Sequence, residues 1–105
     1  MPLEASFVKG DIVKVIDKYE TYSGYTDMFY AIAEQEGLNL KITEEELDRN
    51  CSNLQDGMIG TILGVKEHPL FFYEGNVILL EVIPSKKLVL INENGISLTP
   101  MRVIK

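Results

Sequence analysis

Between Phe7 and Asp17 the apolar residues Val8, Ile12, Val13, Val15 and Ile16 are β-branched and closely spaced. Lys9-Gly10-Asp11 supplies a turn at the start of this run, so the segment predicts a first strand. The period then changes. Tyr25, Met28, Phe29, Ile32 and Ala33 recur at helical spacing, with Thr26 or Asp27 in the N-cap position and Gly37 in the stop position, which predicts a helix near 27–36. Thr43-Glu44-Glu45-Glu46 is a capping box in which Thr43 and Glu46 can each satisfy the other's backbone donor, and Ile42 and Leu47 flank it at hydrophobic-staple spacing. A second short helix is expected there. Leu38, Leu40 and Ile42 alternate and predict a brief extended link between the helices, while Asn50 to Gly57 reads as a loop.

Strand signals return after Asp56-Gly57. Met58 to Lys66 is β-rich but broken by Gly60 and Gly64, consistent with a bent or closely packed strand, and His68-Pro69 interrupts it. Leu70 to Tyr73 is a further extended candidate. Val77 to Ile83 and Leu88 to Asn92, joined by Pro84-Ser85-Lys86-Lys87, make the clearest hairpin; Asn94-Gly95 marks another turn before Ile96 to Leu98, and Thr99-Pro100 a break before Met101 to Ile104. The expected fold is mainly β with an α+β character: five or six short strands that bury their edges by curling into a barrel, with a helical insertion between the first and second strands. No repeat or flexible linker divides the chain, so residues 1–105 read as a single domain carrying an insert at about 17–56.

Composition changes this picture in one respect. A chain of 105 residues with 46% hydrophobic content can build a core without metal or disulfide staples. Apolar runs such as Leu70 to Tyr73 and Val77 to Leu80 are far short of a membrane span, and Met1-Pro2-Leu3-Glu4-Ala5 lacks the basic and apolar regions of a secretion signal. A cytoplasmic protein without a membrane partner is expected, in keeping with a single cysteine, Cys51. The net charge of −6 is unevenly placed: Asp17 to Asp56 holds ten acids against three bases, and the remainder of the chain is close to neutral. Such a segment repels phosphates and attracts cationic surfaces, unless it serves only as a solvated face.

The order of these signals carries a resemblance. Lys9-Gly10-Asp11-Ile12-Val13-Lys14-Val15, a long first loop, Gly57-Met58-Ile59-Gly60-Thr61-Ile62-Leu63-Gly64-Val65, the 77–92 hairpin and a broken terminal strand resemble small barrels of the Src-homology-3 (SH3-like) and ribosomal KOW type, over roughly residues 7–18 and 57–104. With Thr21-Tyr22-Ser23-Gly24-Tyr25, the helical insert and Leu90-Ile91-Asn92-Glu93-Asn94-Gly95-Ile96 added, the chain is similar to small phage and prophage proteins of Gram-positive bacteria. The barrel resemblance implies that first-loop tyrosines form a platform for an extended, basic or proline-rich peptide. The chain departs from Src-homology domains in having no Trp, so their groove ligand does not carry over.

Tyr19, Glu20, Tyr22 and Tyr30, near the loop, and Glu44, Glu45, Glu46 and Asp48, on the second helix, are the candidate partner-binding residues. The competing reading of the tyrosines is that Tyr25, Phe29 and Tyr22 anchor the helix to the barrel, leaving Tyr19 and Tyr30 exposed. The acids form a negative face suited to a basic protein surface, as in charge mimicry of nucleic acid by phage inhibitors of host defence enzymes. Consecutive helical residues diverge by about 100°, so these acids do not converge on one ion unaided, and no metal site or cofactor is expected. Cys51 and His68 are the one conventional nucleophile and the one imidazole, with no spacing that requires them to meet, so no enzymatic activity is expected. Nucleic-acid binding along Lys66, Lys86, Lys87, Arg102 and Lys105 is the rival reading, disfavoured by four acids in the same region and dependent on whether those cations share one stripe. A homodimer formed through an exposed strand edge or Phe71-Phe72-Tyr73 is a further alternative.

Overall fold

β1 (Ile12–Val15) is followed by a 3-10 turn (Lys18–Glu20), α1 (Thr26–Gln35), α2 (Glu44–Asn53), β2 (Ile59–Glu67), β3 (Asn76–Ile83), β4 (Leu88–Asn92), a second 3-10 turn (Glu93–Gly95) and β5 (Ile96–Leu98). This is a computed structural model, and it describes residues 7–67 and 75–98. The five strands form one antiparallel sheet in the order β4-β3-β2-β1-β5, with both helices inserted between β1 and β2. The chain is therefore a small α+β domain, as its periodicity predicts. The expected extended segment Leu70–Tyr73, the Phe71-Phe72-Tyr73 contact, His68, Arg102, Lys105 and the closing strand Met101–Ile104 lie outside the described residues. No helix among the described residues is long and apolar enough to cross a membrane.

Two boundaries differ from expectation, each for a tertiary reason. β1 ends at Val15 because the amides of Ile16 and Asp17 both turn to the Gly95 carbonyl, at 2.8 and 3.2 Å, and Asp17 Oδ1 then accepts from the Tyr19 amide at 3.1 Å to cap the 3-10 turn. α2 continues through Asn50–Asn53, where a loop is expected, because Asn50 and Cys51 are buried and α2 packs against β4. At the start of that helix Thr43 Oγ1 accepts from the Glu46 amide at 3.0 Å, and Ile42 and Leu47 both enter the core, as the capping box and staple predict.

Opposed residues on neighbouring strands share a face of the sheet, so the register sorts the side chains. One face is built from Val13, Val15, Ile62, Leu80, Val82, Val89, Ile91 and Ile96, all buried. Between Ile62 and Gly64 the β2–β3 register shifts, and beyond it both faces are covered: Val77 to Leu80 and Val89 to Ile91 are fully buried, which explains their unbroken apolar runs. α1 covers the Gly64 side. A Cβ at Gly64 would stand 2.5 Å from Ile32 Cγ2, so only glycine lets helix and strand approach this closely. Gln35 Nε2 fastens the same helix by donating to the Val65 carbonyl at 2.9 Å.

The β4 edge is closed by the insert. The Tyr22 amide donates to the Leu90 carbonyl at 2.9 Å, Thr21 bridges Ile91, and Asn50 Nδ2 donates to the Leu88 carbonyl at 3.0 Å. These contacts occupy edge groups that would otherwise offer a template to another chain.

Candidate partner-binding site

The first loop and α2 meet at Gly24. Its φ of +83° is a conformation that glycine adopts without strain, and a Cβ there would lie 3.6 Å from both Asp48 Oδ1 and Glu44 Oε2. Glu44 and Asp48 are four positions apart on one helix, so they share a face, and both carboxylates converge on the Ser23–Gly24 turn. Glu45 and Glu46 are exposed but rotate away by about 100° and about 200° from Glu44. The expectation that these acids diverge holds for the consecutive residues and fails for this pair.

Tyr19, on the same loop as Gly24, is 84% exposed, with Lys18 Nζ 5.5 Å from its ring centroid. Two open grooves of about 260 Å³ each flank it: one lined by Tyr19, Glu20, Thr21, Tyr22, Ser23 and Tyr25, the other by Lys18, Tyr19, Thr21, Ser23, Cys51 and Ser52. Glu20 is half-buried, its stem lying beside Gly95. Tyr25, expected to be a core anchor, is 40% exposed and meets Tyr22 edge to face, with ring centroids 5.7 Å apart. Its exposure and the convergence on Gly24 escape the linear sequence, although the spacing of Glu44 and Asp48 already places them on one helical face.

Tyr22 and Tyr30 belong elsewhere. Tyr22 is 6% exposed, and its hydroxyl accepts from Asn92 Nδ2 at 2.8 Å, so it is a core residue rather than a residue a partner can reach. Tyr30 keeps a half-exposed ring against Phe29, but its hydroxyl donates to the Ile42 carbonyl at 2.7 Å and accepts from the Ile42 amide at 2.8 Å. That two-way bond fastens α1 to the chain entering α2. It gives Tyr30 a structural task through its hydroxyl, while the ring stays 40% exposed.

The charge of this region is left standing. Among the described residues the one ion pair within 4.0 Å is Lys9–Glu36, at 3.3 Å, so the other nine acids of the insert have no cationic partner there. Glu36 itself is held below the usual carboxylate range by its hydrogen bond from Gln35 and by Lys9. Asp48 Oδ1 is shielded from solvent and has no hydrogen-bond partner among the described residues. An unmatched buried acceptor of this kind costs about 1–3 kcal/mol.

Other chemistry finds little support in the geometry. Cys51 is buried within α2, and burial foremost, with the Asp48 charge adding, pushes its thiol up despite hydrogen bonds from Leu90 and Thr21. A thiol so placed is a poor nucleophile. Among the described residues no three His, Cys, Asp or Glu side chains are grouped to hold a metal ion. Lys66 lies opposite Val77 near one end of β3, whereas Lys86 and Lys87 follow its other end, so these cations do not share a stripe. An apolar groove of about 200 Å³ between the end of α2 and the β3–β4 turn, lined by Leu54, Met58, Val82 and Val89 with Lys87 at its rim, contains no acid–base pair. Comparisons with protein-family models, with curated proteins and with solved structures found no match for this chain.

Proposed function

We propose that this chain is a non-enzymatic interaction module whose acidic, tyrosine-bearing insert receives a basic protein surface or an extended basic peptide. The observation that carries this reading is the convergence of Glu44 and Asp48 on Gly24, in the loop that also exposes Tyr19, without a cationic partner among the described residues. A guanidinium or ammonium group brought to the exposed carboxylate of Glu44 gains charge-assisted hydrogen bonds in the negative potential of the pair, and the exposed Tyr19 and Tyr25 rings add aromatic surface on the same loop. The sheet serves as a scaffold that holds both arms of the insert, through the Tyr22–Leu90 and Asn50–Leu88 hydrogen bonds. The strand order, the 3-10 turn before β5 and the Thr21–Ile91 bridge support the finer reading of that scaffold as a small SH3-like barrel.

The test is capture of basic partners by immobilised protein, comparing the native chain with one in which Glu44, Glu45, Glu46 and Asp48 are replaced by Lys. The native chain is expected to retain partners that are released as salt rises, and the reversed chain to lose them while melting as a folded protein. Equal capture by both folded chains would reject the reading.

A further inference from the structure

We infer that the face of the β1–β2–β3 sheet that no described helix or loop covers is a contact surface for a second copy of this chain. The inference does not depend on the acidic insert. Register places the residues of this face in two rows: Ser97, Lys14, Ile59 and Ile83 in one, and Ile12, Thr61, Glu81 and Leu88 in the other. Ile83 is 45% exposed, and Ile12, Ile59 and Leu88 are half-buried, although the opposite face of the same strands is fully packed. Neither helix covers these rows, since α1 lies beyond the register shift, against Gly64, and the end of α2 meets Val82 and Val89 on the opposite face.

The charges on this face decide the occupant. Lys14 and Glu81 stand at opposite corners, separated by two strand spacings and one residue pair along the strand, about 10 Å across and about 7 Å along. Neither has an ion-pair partner among the described residues. A basic peptide would meet Lys14 and an acidic one Glu81. A second copy meets both with the opposite sign. A two-fold axis lying in the interface along the Ile12–Ile83 diagonal sets each Lys14 against Glu81 of the other copy, twice by symmetry, and brings Ile83 against Ile83. The strands of the two copies then cross at about 70°, nearer to the orthogonal than to the aligned packing of sheets. Four strands by two rows span only about 19 by 14 Å, less than the roughly 800 Å² per partner of a standard stable interface, so the dimer is weak and concentration-dependent.

Sedimentation of the full chain between about 10 µM and about 1 mM tests this, alongside Lys14→Glu, Glu81→Lys and the doubly substituted chain, each checked for native melting. The native chain is expected to shift from monomer to dimer. Each single reversal weakens association about tenfold or more, whereas the double reversal, or an equimolar mixture of the two single variants, restores it. A native chain that stays monomeric throughout, or a dimer indifferent to both single reversals, would overturn the inference. So would single variants that lose association without recovering it on mixing.

Discussion

Asn92 Nδ2 donates a 2.8 Å hydrogen bond to the hydroxyl of Tyr22, joining the end of β4 to a loop residue 70 positions earlier. Both residues are buried, and Asn92 Oδ1 also accepts from the Asn94 amide at 2.8 Å to start the second 3-10 turn. The pair therefore holds three things together: the insert, the β4 edge and the turn that leads to β5. Tyr22→Phe removes the acceptor of this bond and is expected to cost about 1–2 kcal/mol, or roughly 4–8 °C in Tm for each kcal/mol in a domain of this size. Thermal melts followed by circular dichroism will show it. A Tm unchanged by the substitution would mean that the bond contributes no net stability.

Tyr30 and Ile42 make the corresponding fastening inside the insert. Tyr30→Phe loses both the bond to the Ile42 carbonyl and the bond from the Ile42 amide, and should lower stability by about 1–2 kcal/mol. Hydrogen exchange gives the local readout: the Ile42 amide is expected to lose protection in the variant, while the β3 and β4 amides keep theirs relative to global stability. Because the hydroxyl is committed to the backbone, partner capture by the folded variant should match the native chain.

Close packing at Gly64 makes a third prediction. Gly64→Ala puts a methyl group into Ile32 Cγ2 at 2.5 Å and Glu36 Cγ at 2.9 Å, and is expected to destabilise by about 1–3 kcal/mol through overpacking. Ile32→Ala alone leaves a cavity and should cost about 2–5 kcal/mol. The doubly substituted chain should be more stable than the sum of the single losses predicts, since the new methyl enters the vacated space. Denaturant unfolding of the four chains measures the coupling, and strict additivity would contradict this packing.

Cys51 gives a pH dependence whose direction follows from its environment. Burial raises its thiol above the ordinary value of 9.0, so the folded state favours the neutral form. The stability it contributes is complete below that ordinary value and is lost as pH rises through the raised one. Alkylation of the native chain near neutral pH should be far slower than alkylation in denaturant, and unfolding free energy should decline on the alkaline side. Equal alkylation rates in the two conditions would show that the thiol is accessible.

Local chemistry made much of this fold legible before any coordinates. Thr43 to Glu46 announces α2 because a capping hydroxyl acts within one turn, and Val77 to Asn92 announces a hairpin because turn residues separate two β-branched runs. What stays hidden depends on contacts distant in sequence. Asn50 to Asn53 has a loop composition and is helical because Asn50 and Cys51 find β4, and of the two readings open for Tyr22 the core one holds because its hydroxyl meets Asn92. The candidate site was half legible. Tyr19 and the α2 carboxylates were identifiable as residue types, but the convergence of Glu44 and Asp48 on Gly24 depends on how the loop folds back over the helix.

If Glu44, Asp48 and the Tyr19 loop form one receptor for cationic side chains, an NMR titration of the isotopically labelled chain with a short Arg- and Lys-rich peptide will reveal it. The amide shifts of Tyr19, Ser23, Gly24, Tyr25, Glu44 and Asp48 are expected to move together and saturate at low ionic strength, and added salt to reverse the change. Shifts confined to the sheet, or a peptide that leaves these six residues unmoved, would contradict it.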